Sequence, residues 1–181
     1  MAMMLGLAVG CMPQTQAKNE PAKNTSKRVI PAKKKNMAGF SPVAKALAEA
    51  GYFTETEARP KAKFYIFICS ASWCGPCRAL MPQVVEEYTK NMKKDKRVSL
   101  VLLGFDKTDE EALAYIEHYN TDIPGVLNSK VQLENRPNIP GIPWYFILNA
   151  KGELVSVGAG NKILNWKEEI SKKPQRGAKK K

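Results

Sequence analysis

Two cysteines with two residues between them, Cys74 and Cys77, stand in the stretch Ser70-Ala71-Ser72-Trp73-Cys74-Gly75-Pro76-Cys77-Arg78, between an apolar run and an amphipathic pattern. That places them where a strand gives way to a helix. A thiol at a helix N-terminus meets the positive end of the helix dipole and unpaired backbone amides, and both favour thiolate over thiol. Each pKa unit so gained is worth about 1.4 kcal/mol. The spacing lets the second sulfur reach the first, so Cys74 can attack a substrate disulfide and Cys77 can resolve the mixed disulfide. This is a pattern for reversible dithiol chemistry.

Other uses of the pair stay open on spacing alone. One is a structural disulfide and another is half of a zinc site, although zinc requires four ligands and only Cys11, Cys69 and His118 remain among Cys and His. Copper(I) is satisfied by fewer thiolates, so a non-catalytic copper(I)- or thiol-binding module of the cell envelope is the alternative function. Of the seven methionines only Met37 falls outside the apolar N-terminal region and the helix patterns, so no Met-rich metal-handling loop favours the carrier. Cys69 sits inside the apolar run, where a free thiol packs as a small hydrophobe. His118 lies late in a predicted surface helix, at no spacing that suggests a thiol-imidazole pair with Cys74.

Trp73-Cys74-Gly75-Pro76-Cys77 resembles the active site of the thioredoxin superfamily, and Ser70-Ala71-Ser72-Trp73 with Arg78 resembles its tryparedoxin and nucleoredoxin-like branch. Pro82 stands where thioredoxins carry the proline that kinks the active-site helix, and Gly141-Ile142-Pro143 resembles their cis-proline loop. The resemblance spans roughly residues 40–172. It implies a redox disulfide between Cys74 and Cys77, with Cys74 the nucleophile and Cys77 the resolving thiol. It further implies a cis bond before Pro143, substrate contacts from Trp73, Gly75, Pro76 and Pro143, and a backbone at Ile142 that pairs with an extended substrate segment as an added strand. The implied partners are disulfide-bearing proteins and an upstream thiol electron donor; the chain would act as a monomer, with no metal or organic cofactor. The Gly-Pro dipeptide resembles that of the reducing members, whose potential is roughly −270 mV. Two positions depart from the pattern. Thioredoxins usually bury an acid six residues before the nucleophile, and here that residue is Ile68, with no equivalent acid evident. Trp144 follows Pro143 where many thioredoxins carry Thr, which implies a bulkier groove beside the cysteines.

The elements that must position these residues are legible in outline. Ser41-Pro42 opens a short helix as N-cap and first helical residue, and Gly51 closes it. Lys63 to Cys69 is aromatic and β-branched without alternation of polarity, the pattern of a strand buried on both faces of a largely parallel sheet. Cys77, Leu80, Met81, Val84, Val85 and Tyr88 recur on one helix face running to about Met92. Val98 to Phe105 predicts a second buried strand, and Thr108-x-x-Glu111 a capping box for a helix carrying Leu113, Ile116 and Tyr119. From Asn120 to Ile139 the signals are those of a long ordered loop. Trp144–Leu148 and Leu154–Val157 predict a hairpin around a turn at Asn149–Gly152, and Ile163, Trp166 and Ile170 a final helix to Pro174. The order β-α-β-α-β-β-α gives an α/β thioredoxin fold: a central mixed sheet of four to five strands with helices on both faces.

Length and charge bound the rest. The 181 residues, 44% of them hydrophobic, suit one domain with appendages. The net charge of +12 resembles a nucleic-acid signal until it is divided by segment: residues 39–170 hold sixteen basic and sixteen acidic side chains, and the excess lies at the two ends. No motif of basic residues interleaved with aromatics accompanies it, so nucleic acid is not an expected partner. Residues 1–10 are apolar or small and end at Cys11; ten residues fall short of the ~20 that span a bilayer and match a signal-peptide apolar region. Leu7-Ala8-Val9-Gly10-Cys11 resembles a bacterial lipoprotein processing site, although no basic residue precedes the run. The expected organisation is an export or lipoprotein signal over 1–11 with lipidation at Cys11, a flexible basic tether over 12–38, a thioredoxin-like domain over 39–172 and a basic tail over 173–181. That organisation predicts the periplasmic side of a bacterial cell envelope, with membrane contact through the lipid alone; the alternative is a cytoplasmic chain with an incidental apolar start.

Overall fold

The computed structural model describes residues 37–174; Cys11, the expected signal, nearly all of the tether and most of the C-terminal tail lie outside the described residues. The first helix, α1 (Pro42–Ala50), begins where Ser41 Oγ accepts the Ala44 amide at 3.1 Å and ends at Gly51 with φ of 78°. Such a serine cap is worth about 1 kcal/mol.

The sheet is built on β1 (Phe64–Ser70) and β2 (Val98–Gly104), which pair in parallel from Phe64 opposite Val98 to Ser70 opposite Gly104. Both are buried almost throughout, because both faces of the sheet are covered. Ile66 and Ile68 face one core with Met81 and Val84, whereas Tyr65, Phe67 and Cys69 face the other with Val43 and Leu47. Further strands are β3 (Gly125–Leu127), β4 (Trp144–Asn149) and β5 (Leu154–Ala159), giving the order β3-β2-β1-β4-β5 with β4 antiparallel to both of its neighbours, β1 and β5. The steps from β1 to β2 to β3 run in one direction through α2 (Gly75–Glu87) and α3 (Asp109–His118). Right-handed crossovers in one direction put both helices on one face, and their buried side chains do share one core. α1 covers the opposite face. The expected thioredoxin fold is therefore the fold of this chain.

Several elements differ from the sequence expectation. The region expected as a loop contains β3, which sequence signals hid because Pro124 and Gly125 read as a turn. Gly125 is required there: a Cβ would lie 2.2 Å from the Phe53 ring. The helix that follows the cysteines is α-helical only to Glu87 and continues to Met92 as a π turn, with Lys93 N–H donating to Tyr88 O at 2.8 Å. In α3 the buried face is Ala112, Tyr115 and Ile116, with Leu113 and Tyr119 only half-buried. Its capping box is shifted: Thr108 Oγ1 accepts the Glu111 amide, but the Glu111 carboxylate accepts from Lys107 N–H, one residue before the cap. The final helix is a 3-10 turn over Gly160–Asn165 followed by one α turn, α4 (Trp166–Glu169). Gly160, Asn161 and Asn165 are poor helix formers, yet the expected Ile163, Trp166 and Ile170 are its buried residues.

Candidate active site

Cys74 is the N-cap of α2 and is bonded to Cys77 one turn on. The Cys77 amide donates to Cys74 Sγ at 3.2 Å, so the sulfur occupies the place a capping oxygen takes at other helices. After reduction, a Cys74 thiolate in that position accepts the same hydrogen bond at the positive end of the helix. Cys74 retains 5% of its surface and Cys77 1%, which makes Cys74 the sulfur a substrate can meet.

Pro82 lies inside α2 and has no N–H for the carbonyl of Arg78. That carbonyl accepts instead from the Tyr119 hydroxyl at 3.2 Å, so α3 closes the gap that the proline opens.

A second loop completes the site. The Ile142–Pro143 peptide bond is cis, and the Ile142 carbonyl oxygen lies 3.7 Å from Cys74 Sγ. Pro143 then borders an open groove with Pro76, Leu80, Gln83 and Gly160. Gly160 holds this loop through its N–H, which donates to Pro143 O at 3.1 Å. Trp73 stands at the rim, 66% exposed, the one large hydrophobic side chain so exposed among the described residues. Gly75 and Pro76 are exposed beside it. Trp144 does not fill the groove, contrary to expectation: it packs into the α1-side core with Ile142 and Phe105. As the first residue of β4 it points to the face opposite α2.

Cys69 lies in the α1-side core with no exposed surface, and burial pushes its thiol up to about 12. His118 sits at the exposed end of α3 against Tyr119 and takes no part in the site. Among the described residues, no group of three from His, Cys, Asp and Glu comes close enough to hold a metal ion.

Sequence reasoning missed three contributors. Gly160 is one. The others are Asp106 and Ser72: Asp106 Oδ1 accepts from the Ser72 amide at 3.0 Å and from its hydroxyl at 2.6 Å, directly before Trp73 and Cys74. The only available signal was an acid immediately after the second buried strand.

A dithiol at a helix N-terminus, facing a cis-proline loop across the end of a mixed sheet, defines a thioredoxin-type redox site. A family model described as Thioredoxin-like matches residues 62–171, and the chain belongs to that family. It is similar to sporulation thiol-disulfide oxidoreductase A of Bacillus subtilis, 30% identical over 103 residues, covering 54% of this chain and 62% of that protein. It is also similar to nucleoredoxin of Xenopus laevis, 33% identical over 93 residues, covering 48% of this chain and 22% of that protein. The chain thus spans less than two thirds of the length of these curated relatives. Among solved structures, tryparedoxin II from C. fasciculata superposes with a TM-score of 0.51 at 20% identity, covering 70% of this chain and 91% of that one, a likeness of fold.

Proposed function

We propose that the chain is a thiol-disulfide oxidoreductase that reduces protein disulfides. The carrying observation is the Cys74–Cys77 pair at the start of α2, its nucleophile position capped by the Cys77 amide and faced by Ile142. In the reduced protein the Cys74 thiolate attacks one sulfur of a substrate disulfide, forming a Cys74–substrate bond and expelling the other sulfur as thiolate. Cys77 then loses its proton and attacks Cys74 Sγ, which releases the second substrate thiolate and forms the Cys74–Cys77 disulfide. Two electrons pass to the substrate, and an upstream dithiol donor returns them.

The remaining site residues bind. Ile142 offers backbone groups to an extended segment, Pro143, Pro76 and Gly75 form the contact surface, and Trp73 supplies an exposed aromatic platform. Pairing through main chain favours breadth of substrate over sequence choice.

The proposal extends to the organisation of the chain: a signal over 1–11, a basic tether over 12–38, the redox domain over 39–172 and a basic tail from 173, acting as a monomer at the bacterial cell envelope. The apolar run ending at Cys11 supports it, and lipid on Cys11 would anchor the domain at about 0.8 kcal/mol per buried CH₂. Intact-mass measurement on native protein from membrane fractions tests this: a chain cut before an acylated Cys11 is expected, and an unmodified Met1 in the soluble fraction refutes it.

For the activity, Cys74→Ser is expected to abolish insulin reduction, whereas Cys77→Ser traps a mixed disulfide visible on non-reducing gels. Full activity in Cys74→Ser would sink the mechanism.

A further inference from the structure

Asp106 is buried to 6% exposure in the loop that leaves β2, and one of its carboxylate oxygens is fully used while the other is not. Oδ1 takes both Ser72 donors; Oδ2 is buried with no hydrogen-bond partner among the described residues. Glu169, also buried, likewise gathers its donors, Tyr145, Ser156 and Lys172, on one oxygen, Oε2, but among the described residues Asp106 alone leaves a buried carboxylate oxygen without a partner. A half-satisfied buried carboxylate is costly, and such groups persist where they serve the site.

Its location fits that rule. The Cys74 amide closes a turn onto Ala71 O at 3.2 Å, and Ser72 is the second residue of that turn. Asp106 Oδ1 is the protein acceptor that the half-buried Ser72 amide has among the described residues. The neighbouring Phe105 is tied to the end of β1 through its amide on Ser70 O at 2.9 Å and packs against Ala71, Cys74 and Cys77. So the loop carrying Asp106 and the turn delivering Cys74 form one hydrogen-bonded unit.

We infer that Asp106 is a positioning residue of the dithiol site: it fixes the turn that sets Cys74 at the head of α2, and its negative charge holds the Cys74 thiolate back, keeping the pair reducing. The sign follows from Coulomb repulsion between two anions, because the buried Asp106 carboxylate is bonded to Ser72, two residues before the buried Cys74. A destabilised thiolate disfavours the dithiol relative to the disulfide and so lowers the potential. The charge does not come from the neighbours. Tyr115 on α3 is close to Asp106, but burial raises its phenol and its hydroxyl is bonded to Ser70; Lys107, next in sequence, is exposed to solvent. This charge stands at a position different from Ile68, where the family's usual acid would be.

The inference rests on the redox reading, but its test does not require a protein substrate. In full-length protein, Asp106→Asn keeps an acceptor for Ser72 and removes the charge. The Cys74 thiolate, titrated by its ultraviolet absorbance in the reduced protein, is expected to form about one pH unit lower, a tenfold change worth up to about 30 mV of higher potential. A titration and potential equal to wild type would overturn the charge role. Ser72→Ala keeps the charge and loses a donor; its expected signature is several-fold slower attack on a small aromatic disulfide at a pH where the thiolate is complete, restored in Ser72→Thr. An unchanged rate in Ser72→Ala would overturn the positioning role. A downward thiolate shift in Ser72→Ala as large as that of Asp106→Asn would also overturn the charge account. If reduced protein shows these shifts yet fails to reduce insulin, the substrate reading fails and this one stands.

Discussion

At residue 160 the site tolerates no side chain. A Cβ on Gly160 would lie 2.8 Å from Pro143 Cβ and 3.0 Å from Leu80 Cδ2, with the Pro143 carbonyl carbon at 3.1 Å. Leu80 can shift, but the Pro143 backbone can yield only by moving the loop that faces Cys74. Gly160→Ala is therefore expected to destabilise the protein by about 1–3 kcal/mol, as overpacking does, and to cost several-fold in kcat/KM for insulin reduction. Denaturant melts and steady-state rates check it; wild-type kinetics in a destabilised variant would show that the loop is not coupled to the site. Cys69 is the opposite case, since the same element chemistry seals it from solvent. Its thiol is held up at about 12, so the protonated form dominates across the physiological range and alkylating reagents should leave it untouched in the native protein.

The C-terminal element is fastened by a buried acid. The Glu169 carboxylate accepts from Tyr145 on β4, from Ser156 on β5 and from Lys172 at 2.5 Å, and so ties α4 to the hairpin. Burial alone would raise this carboxyl, but the donors outweigh it and hold it at about 2, against 4.5 when unfolded. A depressed folded pKa means stability that is complete above 4.5 and is lost as pH falls toward 2. Glu169→Gln is expected to lower the melting temperature at pH 7 and to flatten its fall between pH 5 and pH 2; parallel curves for the two proteins would contradict the assignment. Elements of this kind explain what sequence reading could and could not reach. The long buried strands and α1 announce themselves by apolar runs and by Ser41, Pro42 and Gly51. The last helix announces its buried face through Ile163, Trp166 and Ile170 but not its shortness or its fastening, because its turn is secured by Glu169, Tyr145 and Ser156, partners 11 to 24 residues apart. β3 was hidden for a related reason: three residues carry no period, and their strand identity comes from pairing with Leu102–Gly104.

Over the whole molecule, the sheet separates two cores that answer to different demands. The core under α2, α3 and α4 carries the dithiol helix, and the core under α1 is scaffold apart from its edge at Phe105 and Ile142, which also pack against Cys74 and Cys77. The dithiol itself was legible, since Cys74 and Cys77 are marked by local spacing, and Pro143 was legible through the resemblance of Gly141-Ile142-Pro143 to a cis-proline loop. Asp106 and Gly160 were not, since each acts through a loop distant in sequence, on Ser72 and Pro143. The same separation makes stability and redox chemistry divisible. Leu47 in α1 is fully buried on the scaffold side, whereas Met81 in α2 is 1% exposed one turn beyond Cys77 on the site side. Truncating either to Ala leaves a cavity, and each is expected to cost about 2–5 kcal/mol. Only the second cavity lies in the helix whose N-terminus holds Cys74, so Leu47→Ala should keep the wild-type reduction potential while Met81→Ala shifts it. Glutathione titrations on both variants, beside their melts, give the comparison; a potential that moved equally in the two would mean that the sheet transmits packing defects across its faces.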